Sequence, residues 1–376
     1  MLIPAGMRSA GPRLLVLRSL GLGDLLTAVP AYRGLRRAFG GHWLVLATRP
    51  ALAPLALLTG AVDEVLPYTV PAAGGRWPAL RWPGTPPDLA VNLHGRGPQS
   101  HQVLTGIRPR RLWGFAHSSF PEVGGPAWAE GGHEVARWGG FLGRHGIHCD
   151  PEELGLPRPP GRATPRPGAV LVHPGAASAA RRWPAERFAA VAAGLRRAGH
   201  RVVVTGGGAE RGLAVAVAER AGLGRDDVLA GRTDVLDLAA LVAGARLVVC
   251  GDTGVGHLAT AYGTPSVLLF GPTPPAEWGP PPDRGQHTVL WHGTGPSDPT
   301  DDRPSPALLS VSVDEVLAAA DALLDGARPA RTEAADHPAG SPPSPPAADA
   351  PLAGAVQAGA AALPATAAAG PAADSG

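Results

Sequence analysis

Residues 246–273 constrain the fold of this chain more than any other segment, and they read RLVVCGDTGVGHLATAYGTPSVLLFGPT. The opening apolar run is typical of a strand that is buried on both faces of a sheet. A glycine-rich turn follows, and a helix is predicted from Val255 until the Gly-Thr-Pro sequence that begins at Gly263. Residues 266–270 predict the next buried strand. Together these signals predict a parallel strand–helix–strand unit.

Strands and helices alternate along the rest of the chain as well. Further strands are predicted at residues 14–18, 42–47, 64–68, 88–93, 169–173 and 201–205. Helices are predicted at residues 24–39, 51–59, 131–145, 184–197, 209–221, 234–243 and 311–325. Pro30 predicts a kink or break in the first helix, because proline cannot donate the helical hydrogen bond. The alternation in both halves predicts two parallel, doubly wound sheets.

The length of 376 residues exceeds one typical domain. The predicted segments are a flexible extension (1–12), an N-terminal Rossmann-like domain (13–150), a proline-rich linker (151–168), a C-terminal Rossmann-like domain (169–310), a closing helix (311–326) and a tail (327–376). The tail is rich in alanine and proline and poor in bulky apolar residues, which predicts disorder.

Composition limits the classes of partner and the cellular compartment that are expected for this chain. The net charge of +2 is small and the arginines are dispersed, so no nucleic-acid partner is expected. The two cysteines, Cys149 and Cys250, do not make a disulfide framework, which favours a reducing cytoplasm. Neither a signal peptide nor an apolar run of membrane-spanning length is apparent. No zinc-ligand spacing or Asp-x-Asp pair occurs, so no metal is expected.

Two groups of residues carry a pattern that is longer than a lone glycine motif. The first group comprises Asp252, Thr253, Gly254, His257, Leu258, Ala259, Ala261, Gly263, Thr264, Pro265, Leu269, Phe270, Gly271, Pro272 and Thr273. The second comprises Arg18, Gly23, Asp24, Thr27, Pro30 and Leu35. In both groups the chain resembles glycosyltransferase family 9, the ADP-heptose:lipopolysaccharide heptosyltransferase family.

The resemblance extends over residues 13–291 and implies a fold and a reaction. The implied fold is GT-B, two Rossmann-like domains that face a cleft, with the donor on the C-terminal domain and the acceptor mainly on the N-terminal one. The implied reaction transfers a sugar, a heptose or a related hexose, from a nucleotide-diphosphate sugar, with ADP as the expected nucleotide. It inverts the anomeric carbon by direct displacement, without a covalent enzyme intermediate, a cofactor or a metal.

Asp24 is the general base that the resemblance implies. A carboxylate within hydrogen-bond reach of a sugar hydroxyl can take its proton as the new bond forms. The alternative is that Asp24 only caps the helix that it opens, as N-cap. A dinucleotide-type glycine loop is a poorer interpretation, because the carboxylate would repel a pyrophosphate and the third glycine is missing.

The resemblance places the donor on the C-terminal half. The residues implied for the diphosphate and the sugar are Asp252, Thr253, Gly254, His257, Gly175 and Arg18. Asp252 is expected to bind hydroxyls or to orient its loop, and His257 either contacts the diphosphate or is a satisfied core residue. Arg181 stands where the family has a lysine that faces the leaving group. Arginine can bind this charge bidentately, but its planar fork differs from an ammonium group.

The remaining candidates belong to the nucleoside and acceptor sides. Glu210 and Gly207 lie at a predicted strand end and are expected near the nucleoside; a helix-start carboxylate that is favoured by the helix dipole is the alternative for Glu210. His94, Arg96 and Gln99 follow a strand of the N-terminal half and are candidates for the acceptor side.

The function predicted from these residues is transfer of a sugar to a cell-envelope glycan or glycolipid. The alternatives are a nucleotide-sugar epimerase on the same fold and a non-catalytic nucleotide-sugar binding protein. A dinucleotide-dependent oxidoreductase is disfavoured by the missing third glycine. We expect a cytoplasmic monomer, with peripheral contact to the inner face of the membrane if the acceptor is lipid-linked.

Overall fold

A computed structural model of the chain describes residues 11–71 and 75–326, which contain two parallel five-stranded sheets. The strands of the first sheet are β1 (Arg13–Leu17), β2 (Trp43–Thr48), β3 (Glu64–Pro67), β4 (Leu89–Asn92) and β5 (Leu112–Trp113), in the order β3-β2-β1-β4-β5. Every side chain from Leu14 to Leu17 is fully buried, as expected for an apolar strand that is covered on both faces.

The helices of the first half cover this sheet. They are α1 (Leu22–Thr27), α2 (Val29–Ala38), α3 (Ala53–Leu58), α4 (Gln99–Thr105) and α5 (Glu134–Gly143). The single helix predicted at residues 24–39 is two helices, separated at Ala28. Pro30 is the second residue of α2, where its missing N–H leaves no helical hydrogen bond unmade, so the predicted break is confirmed.

The second half repeats the design. Its strands are β6 (Val170–His173), β7 (Val202–Val204), β8 (Leu247–Gly251), β9 (Ser266–Leu269) and β10 (His287–Leu290), in the order β10-β9-β8-β6-β7. Its helices are α6 (Ala185–Arg197), α7 (Arg211–Arg220), α8 (Val235–Ala243), α9 (Gly254–Tyr262), α10 (Pro275–Trp278), α11 (Pro306–Leu309) and α12 (Val313–Gly326). No helix in the described ranges is both long and apolar enough to span a membrane.

The two sheets share one topological feature that positions the site. In each sheet the first strand has the second strand on one side and a later strand on the other, which creates a switch point between β1 and β4 and between β6 and β8. Ligands of open parallel sheets bind beyond the carboxyl ends of the strands at such a point. A ligand site is therefore expected among the residues that follow β1, β6 and β8.

The structure contains five short elements that were not predicted. The elements that the sequence did not indicate are β5, α4, α10, β10 and α11, which span two to seven residues each. The closing helix begins at Val313 and buries Val316, Ala320 and Leu324. The predicted extension lies outside the described residues except for its last two positions, and the predicted tail at residues 327–376 lies wholly outside them.

Candidate active site

A cleft with a volume of about 430 Å³ lies between the two halves of the described chain. Seven of the predicted site residues line it: Asp24, Arg181, Glu210, Asp252, Thr253, Gly254 and His257. They come from the segments that follow β1, β6, β7 and β8, at the carboxyl ends of these strands. The fold thus brings together residues that are more than two hundred positions apart in sequence.

Asp24 is the third residue of α1 and not its N-cap, which corrects the predicted helix start. The N-cap is Gly21, and its backbone N–H donates to Asp24 Oδ2 over 3.0 Å. The carboxylate therefore holds the helix start, while Oδ1 lies 3.6 Å from Nη2 of Arg18. The Asp24 side chain is 27% exposed and borders the cleft, so it can both support the helix and meet a ligand.

Arg18 has no exposed surface, which contradicts its predicted role in donor binding. Its guanidinium donates to the backbone oxygens of Asp24 and Leu93, each over 2.5 Å, and to Glu134 Oε1 over 2.9 Å. The aromatic ring of Trp138 lies 4.9 Å from the guanidinium carbon. A buried charge needs such a set of partners, so Arg18 fixes the loop that carries Asp24 and is not a donor contact.

Helices α1 and α9 meet across the cleft at two glycines. A Cβ atom at Gly254 would lie 2.6 Å from Leu22 Cβ and 3.0 Å from the backbone nitrogen of Gly23. A Cβ at Gly23 would lie 2.7 Å from the His257 ring. Only glycine permits this approach. It brings Asp24 beside the first turn of α9, whose N–H groups form a partial positive charge that suits a diphosphate.

Arg181 and Asp252 form a pair at the base of the cleft. Arg181 Nη2 donates to the backbone oxygen of Asp252 over 2.5 Å and to its Oδ2 over 2.7 Å. The Asp252 side chain is almost completely buried, whereas that of Arg181 is 27% exposed. Arg181 Nε is buried without a hydrogen-bond partner among the described residues. The aspartate therefore orients the guanidinium, which keeps donors for an anionic ligand.

His257 follows the first turn of α9 and is neutral. Burial lowers its pKa, while the carboxylates of Asp252 and Asp24 act more weakly in the opposite direction. The Trp278 ring forms a T-shaped pair with it, with 6.0 Å between the ring centroids. A neutral imidazole at this place can donate one hydrogen bond to a phosphate oxygen without adding a charge.

Glu210 follows β7, which is two strands away from β8 in the second sheet. Its Oε2 accepts the N–H of Gly207 over 2.7 Å, so Glu210 caps a short helical turn, which agrees with the alternative that it is a helix-start carboxylate. Glu210 also lines the cleft. A Cβ at Gly175 would lie 2.0 Å from Glu210 Oε1. Gly175 therefore leaves room for the carboxylate, and the Gly207 N–H is already engaged.

The three acceptor-side candidates do not line this cleft. His94 Nδ1 accepts the N–H of Ser19 over 3.1 Å, and burial lowers the His94 pKa to about 4. Arg96 pairs with the exposed Glu130 over 2.7 Å. Gln99 begins α4 and lines a separate cavity of about 650 Å³ together with Trp77. The Trp77 ring packs against His94, with 4.9 Å between centroids.

Three residues of the site were missed by the sequence analysis. His173 and Trp278 line the cleft, and Glu134 neutralises the buried Arg18. The His173-Pro-Gly sequence after a predicted strand was a usable signal for the first. No sequence signal pointed to Glu134, because its partner Arg18 is 116 positions away. Within the described residues, no cluster of three or more His, Cys, Asp or Glu side chains has the arrangement to hold a metal ion.

Comparisons with known proteins agree on one family. Residues 156–306 match the model of glycosyltransferase family 9 (heptosyltransferase). The chain is 30% identical over 162 residues to lipopolysaccharide heptosyltransferase 3 of Escherichia coli K12, a match that covers 41% of this chain and 46% of that protein. The match thus spans about half the length of that relative. Lipopolysaccharide heptosyltransferase 1 of Pseudomonas aeruginosa is 27% identical over 293 residues, covering 70% of this chain and 79% of that one.

Solved structures show the same architecture. The structure of the E. coli ADP-heptose lipopolysaccharide heptosyltransferase II matches with a TM-score of 0.66 at 20% identity, over 84% of this chain and 99% of that one. At 20% identity, this similarity is evidence for the fold alone. The predicted GT-B arrangement, two Rossmann-like domains that face a cleft, is confirmed.

Proposed function

The chain belongs to glycosyltransferase family 9, and on that premise we propose that it transfers a sugar from a nucleotide-diphosphate donor to an acceptor hydroxyl. One observation carries the proposal. The carboxylate of Asp24 from the first half and the Arg181–Asp252 pair from the second half line the same cleft of about 430 Å³. A base and an anion-binding group in one cleft are what direct displacement at a sugar carbon requires.

Asp24 is the proposed general base. It takes the proton of the acceptor hydroxyl as the oxygen bonds to the anomeric carbon, and the bond from that carbon to the diphosphate breaks on the opposite face. The configuration at the carbon therefore inverts. Arg18 donates a hydrogen bond to the backbone oxygen of Asp24 and so keeps the carboxylate beside the first turn of α9.

The leaving diphosphate is stabilised by groups of the second half. Arg181 supplies a guanidinium that Asp252 orients, and the first turn of α9 supplies backbone N–H donors. His257 adds a neutral donor. These groups perform the charge stabilisation that a divalent ion supplies in other enzymes, so we propose a reaction that is independent of metal.

The substrates are proposed from the relatives. Names of the matched proteins specify heptosyl transfer to lipopolysaccharide, and one of them specifies ADP-heptose. We propose an ADP-linked heptose or hexose donor and a cell-envelope glycan or glycolipid acceptor. Arg33 and Arg37 of α2 bind Glu153 and its neighbours instead of forming a free basic patch. Any membrane contact therefore comes through the acceptor, and we expect the protein to act as a monomer.

Ligand-dependent melting tests the donor. The protein is melted with ADP-heptose and with ADP-, GDP-, UDP- and dTDP-hexoses, in the presence of EDTA. A ligand at 100 times its dissociation constant stabilises the folded state by about 2.7 kcal/mol, a shift of several degrees. A selective shift with the ADP-sugars supports the proposal. No shift with any nucleotide sugar contradicts it.

Product analysis then separates the reaction classes. Incubation of the donor with a deacylated cell-envelope glycan should release the nucleoside diphosphate and extend the glycan by one sugar. Interconversion of the donor sugar without the acceptor would instead identify an epimerase, and binding without turnover would identify a non-catalytic binding protein.

A further inference from the structure

One hydrogen bond joins the two halves of the chain, and the proposed function leaves it without a role. Of the hydrogen bonds between described residues, only that of His133 Nε2 with the backbone oxygen of Gly279, over 2.9 Å, connects residues 11–150 with residues 169–326. His133 is the N-cap of α5 in the first half, and Gly279 is the C-cap of α10 in the second. The bond is therefore a candidate for setting the arrangement of the two halves.

Both partners of the His133 imidazole are backbone atoms, which fixes the ring. Its Nδ1 accepts the N–H of Val135 over 3.3 Å, as a helix cap does. A backbone N–H can only donate and a carbonyl oxygen can only accept, so the hydrogen of the ring is on Nε2 and is donated to Gly279. Gly279 is buried, and a buried carbonyl needs such a partner. The two ring nitrogens thus have different tasks: Nδ1 caps α5, and Nε2 connects the halves.

In the second half, the bond holds a segment that borders the cleft. Gly279 directly follows Trp278, which lines the cleft and forms the T-shaped pair with His257. The N–H of Gly279 donates to the backbone oxygen of Pro275 over 2.6 Å, so this residue closes the last turn of α10. Three prolines follow at positions 280–282, each with a φ angle that its ring restricts. A displacement of Gly279 would therefore move Trp278 and its contact with His257.

In the first half, the residue after His133 supports the loop that carries the proposed base. Glu134 Oε1 accepts a hydrogen bond from Arg18 Nη2 over 2.9 Å, and Arg18 donates to the backbone oxygen of Asp24. The start of α5 thus contacts the support of Asp24 through Glu134 and the Trp278 segment through His133. Because these are consecutive residues, they relate the position of the base to that of the second half.

The space beside the bond is not filled by side chains. His133 and Gly279 both line a cavity of about 670 Å³, whose other walls include Ala136 of α5 and Val289 of β10. The lining is shared by both halves, so the halves are not tightly packed there. The hydrogen bond, which is directional, is therefore the contact that aligns the halves at this place.

We propose that His133 is a positioning residue for sugar transfer: its bond to Gly279 keeps Trp278 and His257 at the distance from Asp24 that turnover requires. His133 is not among the described residues that line the cleft, so it acts through these neighbours and not on the substrates. The inference rests on the proposed function, because it assumes that Asp24 and the groups of the second half act on one pair of substrates.

A reciprocal pair of substitutions separates the two tasks of the imidazole. In His133→Asn the side chain still caps α5, since Asn is a favoured N-cap, but it is too short to reach Gly279. In His133→Gln the longer amide can still donate to Gly279, but the cap is lost. We expect kcat to fall by about ten-fold or more in His133→Asn, because small displacements of catalytic groups are costly, and to stay within about three-fold in His133→Gln. The calorimetric dissociation constant for ADP should stay within about two-fold of the wild type in both, since only turnover needs the alignment.

Two further variants serve as the control and the reserve. Asp234→Ala removes the N-cap of α8, a helix that does not line the cleft. It should lower the melting temperature by about 2–4 °C and leave kcat unchanged, which shows that the loss of a cap alone does not reduce turnover. His133→Ser also caps α5 without reaching Gly279, and it replaces His133→Asn if that variant does not fold.

The outcomes distinguish this inference from the proposed function. A higher kcat in His133→Gln than in His133→Asn, with ADP affinity unchanged in both, supports the role of His133. A kcat in His133→Asn that equals or exceeds that of His133→Gln overturns it, as does weaker ADP binding by His133→Asn, and both results leave the proposed function standing. Absence of turnover in the wild-type protein overturns the proposed function and this inference with it.

Discussion

At the scale of single residues, the charges in and behind the cleft are arranged in pairs that orient one another. Arg18 pairs with Glu134 inside the first half, and Arg181 pairs with Asp252 in the second. A buried charge without a partner is costly, so removal of either member is expected to disturb the other. The difference between the pairs is access to the cleft: Arg18 has none, whereas Arg181 keeps free donors.

Replacement of Arg181 tests its place at the diphosphate. Arg181→Met should weaken binding of the nucleoside diphosphate by about 10- to 100-fold, because it removes the charge and releases Asp252. Arg181→Lys should lose less, since the ammonium keeps the charge but not the fork that spans Asp252 and the ligand. Calorimetric dissociation constants check both. Equal affinity of Arg181→Met and the wild type would contradict the assignment.

The half-buried His94 predicts a pH dependence of stability. Its pKa is lowered from 6.5 to about 4, chiefly by burial and then by Arg18 and Arg49. Between these pH values the unfolded chain binds a proton that the folded protein does not. The stability present above pH 6.5 is therefore lost as the pH falls toward 4, by up to about 3 kcal/mol. Urea unfolding of His94→Asn should show a flatter pH profile over this window, whereas His148→Asn should resemble the wild type.

At the scale of elements, the contact between α1 and α9 is the feature on which the site depends. The two helices belong to different halves, and two glycines bring their first turns together. This contact places the carboxylate of Asp24 next to the N-terminal end of α9, where the backbone N–H groups are free of helical partners. A side chain at either glycine has to separate the helices, because the obstruction at Gly254 includes the backbone of Gly23.

Gly254→Ala tests this contact against a matched helix substitution. The added methyl group should move α1 away from α9 and lower kcat by about ten-fold or more, because small displacements of catalytic groups are costly. Gly212→Ala on α7 has open space around the new atom. It should keep activity and raise stability by about 0.5–1 kcal/mol, through helix propensity. Comparable kcat values for the two variants would show that the approach of α1 and α9 does not matter for turnover.

The sequence predicted the elements whose signal is local. The apolar strands β1, β6 and β8 and the proline break before α2 follow from patterns that span a few residues. The short elements β5, α10 and α11 could not be predicted, since each is defined by packing against distant segments. The same holds for the site: Asp24 and Arg181 were found from motifs, but the burial of Arg18 depends on Glu134, which is remote in sequence.

At the scale of the whole molecule, two sheets of the same construction present their switch points to one cleft. The first half brings Asp24, and the second brings Arg181, Asp252 and α9. In the proposed mechanism the base and the anion-binding groups belong to different halves, so we predict that catalysis requires both halves in contact. We predict that nucleotide binding requires only the second half, so mutation should separate the two properties.

Truncation tests the boundary of the functional unit. Removal of residues 329–376 should leave activity and melting temperature nearly unchanged, because a segment of this composition cannot bury a core. Calorimetric melting and turnover of the truncated chain check this. A large loss of stability would show that the segment contributes to folding.

The most direct test of the central claim compares turnover and nucleotide affinity in Asp24→Asn. The amide keeps an acceptor for the Gly21 N–H, so the start of α1 is preserved while the base is removed. We predict that kcat falls by about 10²- to 10⁴-fold while the dissociation constant for ADP stays within about two-fold of the wild type. Unchanged turnover in Asp24→Asn would contradict the assignment of the base, and with it the proposed geometry of transfer across the cleft.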